Sequence, residues 1–396
     1  MTEAPACRIA PPAFLSEPAL AALLTVLPEA RIVGGAVRDT LARRRFVDVD
    51  LASPLPPETM MRRLADAGMK VVPTGLAHGT VTAVLPGRAV EITTLRRDVE
   101  TDGRHAVVAF TDDWREDAAR RDFTINAMSM TRDGAVYDYF GGLADLRAGR
   151  LRFVGDPAER VAEDYLRVLR FFRFFARYGA VEPDEATLAA LRGAVPRLAS
   201  LSVERVWHEL RLILSAPDPV TSVTLMDRLG VLGAVVPEGT DVSVLARLVA
   251  RGAPVDALSR MAALLTGDPL AFAIRLKLSL AERDRLLALR AAPLARPEDD
   301  DAALRRLMAD TPVEVLVDRT WLAGGDDAAW GSLRDRLRSL PTPVFPLEGR
   351  DVVALGVPPG PRVGEVLRAV RAWWLNGGCQ ATAKACQNEA RRLARG

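Results

Sequence analysis

The sequence is short of lysine, cysteine and histidine, and each shortage excludes a class of protein or site. Only three of its 53 basic residues are lysines, and it has three histidines, too few for a histidine-rich metal centre. Its cysteines, Cys7, Cys379 and Cys386, cannot build a disulfide framework and contain no CxxC pair for zinc. No uncharged apolar run approaches the roughly 18 residues of a membrane helix. We therefore expect a protein of the reducing cytoplasm with no membrane partner.

Hydrophobic and charged residues are present in ordinary globular proportions. The chain has 396 residues, of which 49% are hydrophobic and 26% charged, so it is long enough for more than one buried core. Its formal net charge is only +2. Nearly all of its basic residues are arginines, which suit bidentate contacts with phosphate. A GC-rich genome would also explain this excess, so composition alone does not identify the partner.

The pattern of hydrophobic residues changes near Gly155. Before it, strand-like and helix-like segments alternate, and after it helix follows helix with proline and glycine between them. The predicted elements of the first part are a strand at 31–33, a glycine turn at 34–35, a helix at 36–45, a strand at 47–51, a helix at 58–67 and strands at 80–85 and 89–94. We therefore predict an α+β protein, with an α/β domain at 1–150, a helical neck at 151–225 and a helical body and tail at 226–396.

Two aspartates stand two residues apart in the predicted strand at 47–51. Asp48 and Asp50 would project to the same face, because strand side chains alternate. Paired carboxylates suit Mg²⁺, and two metal ions can stabilise the attacking and leaving oxygens of a phosphoryl displacement. Taken alone, the DVD motif is weak evidence for a metal site and is far more typical of the polar outer face of a surface strand.

A glycine turn precedes the aspartates, in the segment GGAVRD at 34–39. Glycines let the backbone approach a triphosphate, N–H groups at a helix start face the anion, and Arg38 adds positive charge. The segment is neither the G-x-G-x-x-G pattern of dinucleotide-binding proteins nor a P-loop. A tight strand–helix turn without a ligand is the alternative interpretation.

GGAVRD followed by DVD resembles the signature of class II tRNA nucleotidyltransferases, the CCA-adding enzymes, and of the related bacterial poly(A) polymerases. Both belong to the DNA polymerase β-like nucleotidyltransferase superfamily. Further segments resemble the family's other motifs in the family's order over residues 30–215: HGTVT at 78–82, VEITTLR at 90–96, RRDFTINAM at 120–128, DYFGGLADL at 138–146, EDYLRVLR at 163–170, and SVER at 202–205 with Glu209. The resemblance implies a polymerase β-like head followed by an all-α neck, body and tail, with the body and tail binding RNA.

The resemblance implies roles for the residues of the head. Asp48 and Asp50 would be catalytic and hold magnesium ions, whereas Glu91 as a third carboxylate is left open. The residues implied to bind the triphosphate and ribose of the nucleotide are Gly34, Gly35, Arg38, Arg121 and Asp122. The segment 97–119 resembles the family's flexible loop, which is associated with the switch from C to A addition.

The resemblance also places base selection in the segment 163–173, which we predict to be one continuous helix. Asp164 and Arg167 would then be neighbours at i and i+3. A carboxylate beside a guanidinium accepts the amines of cytosine and adenine and mismatches guanine and uracil. Arg170 and Arg173 would line the same nucleotide site. The alternative is an Asp164–Arg167 salt bridge within a solvated helix.

The activity that the resemblance implies is addition of C, C and A to the tRNA 3′ end, from CTP and ATP with Mg²⁺. A poly(A) polymerase ranks second, because LAHGTVT at 76–82 lacks the basic-aromatic signature of that branch. A partial enzyme that adds only CC or only A is also open. A non-catalytic RNA-binding relative would be expected to have lost the acidic pair. The tRNA-contacting residues and the oligomeric state are left open.

Overall fold

A computed structural model describes residues 3–46, 48–101, 106–325 and 328–395. The chain divides into two compact units, Met1–Pro237 and Glu238–Gly396. The first contains a mixed sheet and helices, and the second is helical in its described residues, so the predicted α+β class is confirmed. The finer division at 150 and 225 stays a prediction.

One mixed sheet organises the first unit. The strands of this unit are β1 Cys7–Arg8, β2 Arg31–Val33, β3 Asp50–Ser53, β4 Lys70–Gly75, β5 Thr80–Leu85, β6 Arg88–Thr94, β7 Arg96–Thr101, β8 Ala106–Phe110, β9 Ser129–Met130 and β10 Ala135–Tyr137. Eight of them pair in the order β1-β10-β9-β2-β3-β6-β5-β4, and β7 pairs with β8 separately. Only the β3–β6 pair is parallel among the ladders of the described residues. The register of this parallel pair places Asp50, the first residue of β3, beside Glu91 of β6.

Eleven α-helices complete the described part of the first unit. They are α1 Pro18–Val26, α2 Gly35–Leu41, α3 Pro57–Asp66, α4 Trp114–Ala119, α5 Gly142–Ala148, α6 Pro157–Glu163, α7 Leu166–Tyr178, α8 Glu185–Gly193, α9 Val203–Leu214, α10 Val220–Arg228 and α11 Val231–Val235. Short 3-10 segments lie at Ala13–Ser16, Leu76–His78, Thr124–Asn126 and Val195–Ser200. Leu23 of α1 and Met60 of α3 are buried with Ile32 of β2 and Ile92 of β6 in the core of the head. Burial of this apolar area positions the sheet on which the acidic residues lie.

The second unit is built from helices, and two of its apolar cores lie within residues 295–394. Its helices are α12 Val242–Ala250, α13 Ala257–Leu264, α14 Pro269–Arg275, α15 Leu280–Arg290, α16 Asp301–Met308, α17 Val313–Ala323, α18 Ala328–Ser339, α19 Gly349–Ala354, α20 Pro361–Asn376 and α21 Ala383–Ala394. One core gathers around Leu316 and Leu337, and the other around Trp374. In the residues that the structure describes, no helix has the length and apolar character to cross a membrane.

The predicted strand at 47–51 is wrong in its start, because β3 begins at Asp50. Its partner β2 ends at Val33, which lies opposite Asp50, and Gly34 then turns the chain into α2. Asp48 therefore precedes the ladder, although Asp48 and Asp50 are both exposed around a buried Val49, as alternation requires. Residue 47 lies outside the described residues.

The predicted helix at 36–45 is too long, because α2 ends at Leu41. Arg43 follows in the left-handed region with φ of +54°, and the Arg44 N–H donates back to the Asp39 carbonyl at 2.8 Å. Glycine is the usual residue in such a helix C-cap. A side chain there costs about 1 kcal/mol.

The segment 97–119, expected as a loop, contains the β7–β8 hairpin and α4. Residues 102–105, between β7 and β8 in the sequence, lie outside the described residues. The switch role implied for this segment stays a prediction.

Candidate active site

All nine predicted nucleotide-binding residues line one cleft of about 840 Å³ in the first unit. They are Gly34, Gly35, Arg38, Arg121, Asp122, Asp164, Arg167, Arg170 and Arg173. The other lining residues are Asp39, Arg96, Arg120, Asn126, Leu166, Phe174, Arg177, Tyr178, Arg205 and Leu212. Motifs spread over 140 residues of sequence thus meet in a single concave surface.

The candidate metal ligands Asp48, Asp50 and Glu91 are not among the lining residues, and Asp50 lies beside the cleft. Asp50 is in register with Glu91 on the adjacent parallel strand, and it lies opposite Val33, just before the glycine turn. Burial, the Glu91 carboxylate and the Asp48 carboxylate raise the pKa of Asp50, whereas the Arg121 guanidinium opposes them. Asp50 is therefore coupled electrostatically both to the other two acids and to the cleft.

This donor set fits a hard divalent cation. Among the described residues, no three potential ligands are gathered closely enough to form a metal cage by themselves. Two or three carboxylates with open coordination positions are what Mg²⁺ uses when water and substrate phosphates complete its shell. Partial burial first, and then repulsion from Glu91 and Asp48, raises the pKa of Asp50, and a bound cation would relieve that repulsion.

Gly34 adopts a backbone conformation that favours glycine. Its φ is +66°, and a Cβ built on it would lie 3.3 Å from Nη1 of Arg121. A side chain at this position would therefore be strained and would press on a cleft arginine. Gly35 begins α2, so its N–H is one of those that have no partner within the helix.

The Arg38 side chain is buried and oriented from three sides. Its Nε and Nη2 donate to the Asp39 carboxylate at 3.2 and 2.9 Å, and its Nη1 donates to Oδ1 of Asn126 at 2.5 Å. The guanidinium also stands over the rings of Phe174 and Tyr178, and the Tyr178 hydroxyl donates to Asp39. Two of its five N–H groups remain for a ligand.

Asp122 continues this network toward the neck. Its Oδ1 accepts from Nδ2 of Asn126 at 3.0 Å and from the Phe123 N–H at 2.9 Å, and its Oδ2 accepts from Nε of Arg170 at 2.8 Å. Burial alone would raise the pKa of Asp122, but Arg170 and the hydrogen bonds hold it below its ordinary value. Asn126 therefore links Arg38 to Asp122, and both oxygens of Asp122 already accept from protein donors.

The arginine pair of the RRD motif shares one buried carboxylate. Asp117 accepts from Nε of Arg120 at 2.8 Å and from Nη2 of Arg121 at 3.1 Å. Despite burial, these two guanidinium groups lower the pKa of Asp117. The pair is thus held in the cleft wall and is not a solvated pair at a helix start.

The predicted continuous helix at 163–173 is wrong. It breaks after Glu163, and Asp164 is extended, with φ of −153° and ψ of 108°. Oδ1 of Asp164 accepts from the Leu166 N–H at 3.0 Å, and Oδ2 accepts from Nη2 of Arg205 at 2.8 Å. Arg167 pairs with Glu163 instead. The alternative of an Asp164–Arg167 salt bridge within one helix is therefore also wrong, although both residues line the cleft.

Helix α9 makes two ion pairs with the part of the cleft formed by residues 164–178. Besides the bond from Arg205 to Asp164, Glu209 accepts from Nη1 of Arg173 at 3.1 Å. Burial raises the pKa of Glu209, and the Arg173 guanidinium opposes this effect. Burial also lowers the pKa of Arg173. Both ion pairs join α9 to the segment 164–178, which carries the predicted base-selecting residues.

Sequence reasoning did not assign roles to Asp39, Asn126 or Tyr178. Asp39 lies in the GGAVRD motif and Asn126 in the RRDFTINAM motif, so the resemblance to the family pointed to both. Tyr178 lies at the end of α7 beyond any motif, and only the fold brings its hydroxyl to Asp39.

Comparison with known proteins agrees with this geometry. Residues 30–152 match the family described as "Poly A polymerase head domain", and residues 181–242 match "Probable RNA and SrmB- binding site of polymerase A". The chain is 37% identical over 365 residues to CCA tRNA nucleotidyltransferase 1, mitochondrial, of Danio rerio, a match that covers 87% of this chain and 83% of that protein.

Bacterial relatives match as well. Over 191 residues the chain is 44% identical to a CCA-adding enzyme of Streptococcus gordonii, covering 48% of this chain and 47% of that protein. The crystal structure of the Bacillus stearothermophilus CCA-adding enzyme in complex with CTP superposes with a TM-score of 0.75 at 27% identity, covering 96% of this chain and 98% of that one. The resemblance predicted from the motifs is therefore confirmed, and the chain belongs to the family of CCA-adding tRNA nucleotidyltransferases and poly(A) polymerases.

Proposed function

We propose that the protein adds C, C and A to the 3′ end of tRNA without a nucleic-acid template, using CTP and ATP and releasing pyrophosphate. The observation that carries the proposal is the single cleft lined by all nine predicted nucleotide-binding residues, with the acidic residues at its margin. The long match to a CCA tRNA nucleotidyltransferase supports the RNA substrate.

In this proposal Asp48 and Asp50 hold Mg²⁺, with Glu91 adjacent as a candidate third carboxylate. When bound, the metal supplies positive charge for the attacking and leaving oxygens of an in-line displacement at the α-phosphate. The chain itself supplies position and charge. Backbone N–H groups of Gly34 and Gly35 and the remaining N–H groups of Arg38 face the triphosphate, and Arg121 adds positive charge beside Asp50.

Asp164 and Arg167 would select the base. Each oxygen of Asp164 accepts one protein N–H, so each retains capacity for the exocyclic amine of cytosine or adenine. Arg167 uses Nη1 for Glu163 and for the Arg160 carbonyl, which leaves Nε and Nη2 for a ring nitrogen. Arg205 and Glu163 would then orient the selecting pair without touching the base.

Asp122 acts in this proposal chiefly by positioning. Arg170 and Asn126 occupy its oxygens, so its remaining capacity for a ribose hydroxyl is small, and its main effect is to fix Arg170 in the cleft wall. Arg173, held by Glu209, extends the same line of positive charge.

One incubation tests the activity. Purified protein is given tRNA that lacks its CCA end, with Mg²⁺ and CTP alone, ATP alone or both, and products are resolved to single nucleotides. We expect two additions with CTP, none with ATP and three with both, followed by a stop. Long A-tails on unrelated RNA would favour a poly(A) polymerase, and a stop after CC with both nucleotides would favour a partial enzyme.

A cytoplasmic location stays a prediction. Three free cysteines suit a reducing compartment. The vertebrate relatives carry "mitochondrial" in their names, so localisation of a tagged full-length protein is the deciding measurement.

A further inference from the structure

A second groove of about 860 Å³ lies in the first unit and shares Arg177 and Tyr178 with the cleft. It is formed by residues 9–12, the end of α2, helix α5 and the end of α7. Four arginines line it, namely Arg43, Arg44, Arg147 and Arg177, and its lining residues include no aspartate or glutamate. The groove is therefore strongly positive by composition.

The four groove arginines differ in their partners from Arg38, Arg121 and Arg170 of the cleft. Arg38, Arg121 and Arg170 are each neutralised by a carboxylate, whereas none of the four groove arginines has a carboxylate partner within the described part of the chain. Arg44 packs over the Tyr178 ring at 4.8 Å, which orients it without neutralising it. Guanidinium groups of one sign around one concavity repel each other and attract a polyanion.

Two local features point to a ligand as well. Arg43 occupies a left-handed position that glycine would fill without strain, so its side chain is retained at a conformational cost. The hydroxyl of Thr40, another lining residue, is buried and has no hydrogen-bond partner in the described structure. A bound oxyanion would gather the guanidinium groups, and it would provide that partner once the Thr40 side chain rotates toward the groove.

We propose that this groove binds phosphate groups of the RNA backbone. That RNA supplies the phosphates rests on the proposed function, whereas the phosphate chemistry rests on the groove itself. Arginine binds phosphate bidentately, and the groove shares a wall with the cleft that would receive the RNA 3′ end. RNA held in the cleft could therefore run on into the groove, which would contact its backbone without reading its sequence.

The test uses Arg43→Gly, which removes the charge and relieves the backbone strain together. The double variant Arg43→Gly/Arg147→Ala removes two charges, and Arg45→Ala, in the same basic run but outside the groove lining, is the matched control. The probe is a fluorescent RNA hairpin of unrelated sequence, titrated at several salt concentrations. We expect about threefold weaker binding for Arg43→Gly and about tenfold weaker binding for the double variant. The salt slope, which is the slope of log K against log of the salt concentration, should become shallower by about one for each arginine removed.

Stability separates this role from a structural one. Arg43→Gly should keep or raise the melting temperature while it weakens RNA binding, a combination that damage to the fold cannot produce. The CTP affinity should stay unchanged in both variants. Hairpin affinity and salt slope that stay unchanged in the double variant, or an equal loss in Arg45→Ala, would overturn the proposal.

Two further measurements identify the source of the phosphate and separate failure of this proposal from failure of the proposed function. If inorganic tripolyphosphate stabilises the wild type but not the double variant, while hairpin binding is equal, the groove binds a free polyphosphate and the RNA assignment is wrong. Because hairpin binding needs neither tRNA nor nucleotide, it tests the groove even if the protein fails to extend tRNA. Failure of extension alone would contradict only the proposed function.

Discussion

Two buried arginines, Arg38 of the first unit and Arg319 of the second, are held in different ways. Arg38 faces a carboxylate and pairs with Asp39, just as the half-buried Arg170 of the same cleft pairs with Asp122. In the second unit Arg319 donates to the backbone carbonyls of Ala288 and Pro293 at 2.6 and 3.0 Å. Burial lowers the pKa of Arg319, and among the described residues no carboxylate opposes this effect.

The difference indicates what each kind of arginine does. A guanidinium neutralised by a carboxylate sits stably in a cleft and still presents spare N–H groups to a ligand. A guanidinium held by carbonyls satisfies the end of a helix, here α15, and leaves little for a ligand. We therefore expect substitution of charged residues in the cleft to affect activity more than folding. Substitution of Arg319 should affect folding more than activity.

The largest expected effect is at the acidic margin. Asp50→Asn should reduce nucleotide incorporation at least about 100-fold, because a metal-holding charge is lost. Its stability should not fall. The pKa of Asp50 is raised in the folded state, so the ionised carboxylate destabilises the fold above that pKa, and the neutral amide removes the penalty. Incorporation assays and thermal unfolding at pH 7 measure both. Near-normal incorporation with Mg²⁺ would refute the catalytic assignment.

The converse is expected at Arg319. Arg319→Met keeps the side-chain volume but leaves two carbonyls without a partner, so the free energy of unfolding of the second unit should fall by about 2 kcal/mol. Incorporation at saturating RNA should hardly change. The exposed Arg296→Met is the matched control and should alter stability by under about 0.5 kcal/mol. A loss of activity without a loss of stability in Arg319→Met would contradict the distinction between arginines held by carboxylates and those held by carbonyls.

Asp122 should affect both properties, and its effect on stability should depend on pH. Asp122→Asn breaks the ion pair with Arg170 and should cost about 2 kcal/mol at pH 7. Because the folded-state pKa of Asp122 is lowered, the wild-type advantage is full above the unfolded pKa of about 4 and is lost as pH falls toward the folded value. Urea unfolding of both proteins from pH 7 to pH 3 checks this. A difference that stays constant over this range would exclude the ion pair as its source.

The smallest expected effect is on base choice. Asp164→Asn presents an N–H group where cytosine and adenine need an acceptor, so the preference for C over U should narrow about tenfold. Arg205→Ala is the control, since it removes the same ion pair and leaves the acceptor in place. Single-turnover assays with all four nucleotides measure the ratio of C to U incorporation in both variants. Equal changes in both variants would mean that Asp164 serves the structure alone.

The sequence predicts elements with strong local patterns and misses those that depend on distant contacts. Strand β5 lies at the predicted bounds, because Thr80–Leu85 is a short run rich in β-branched and apolar residues. The two- and three-residue strands β1, β9 and β10 are too short to show a period, and each exists only through its pairing. The break at Asp164 depends on Arg205, 41 residues away, although an aspartate that accepts from the N–H two residues later is a local capping signal.

The same limit applies to the site. Motif order placed nine residues that the fold gathers in one cleft, because each motif is a local sequence. Which arginine would meet which carboxylate was not predictable, since Arg170 of α7 pairs with Asp122, 48 residues before it, and Arg173 of α7 pairs with Glu209 of α9. Asp50 lies beside Glu91 because of the register of the parallel strands β3 and β6. No tight turn joins these two strands, so the sequence did not specify that register.

Nine arginines and no lysine are found among the residues that line the cleft, and the three lysines of the chain, Lys70, Lys277 and Lys384, lie elsewhere. Amine-directed reagents, including acetyl donors, therefore have no target in the cleft, whereas guanidine-directed diones have many. Guanidinium groups also keep their charge far above neutral pH. A pH–activity profile of this protein between pH 5 and 9 would consequently report on the acidic side chains and on the substrate, against a constant positive background.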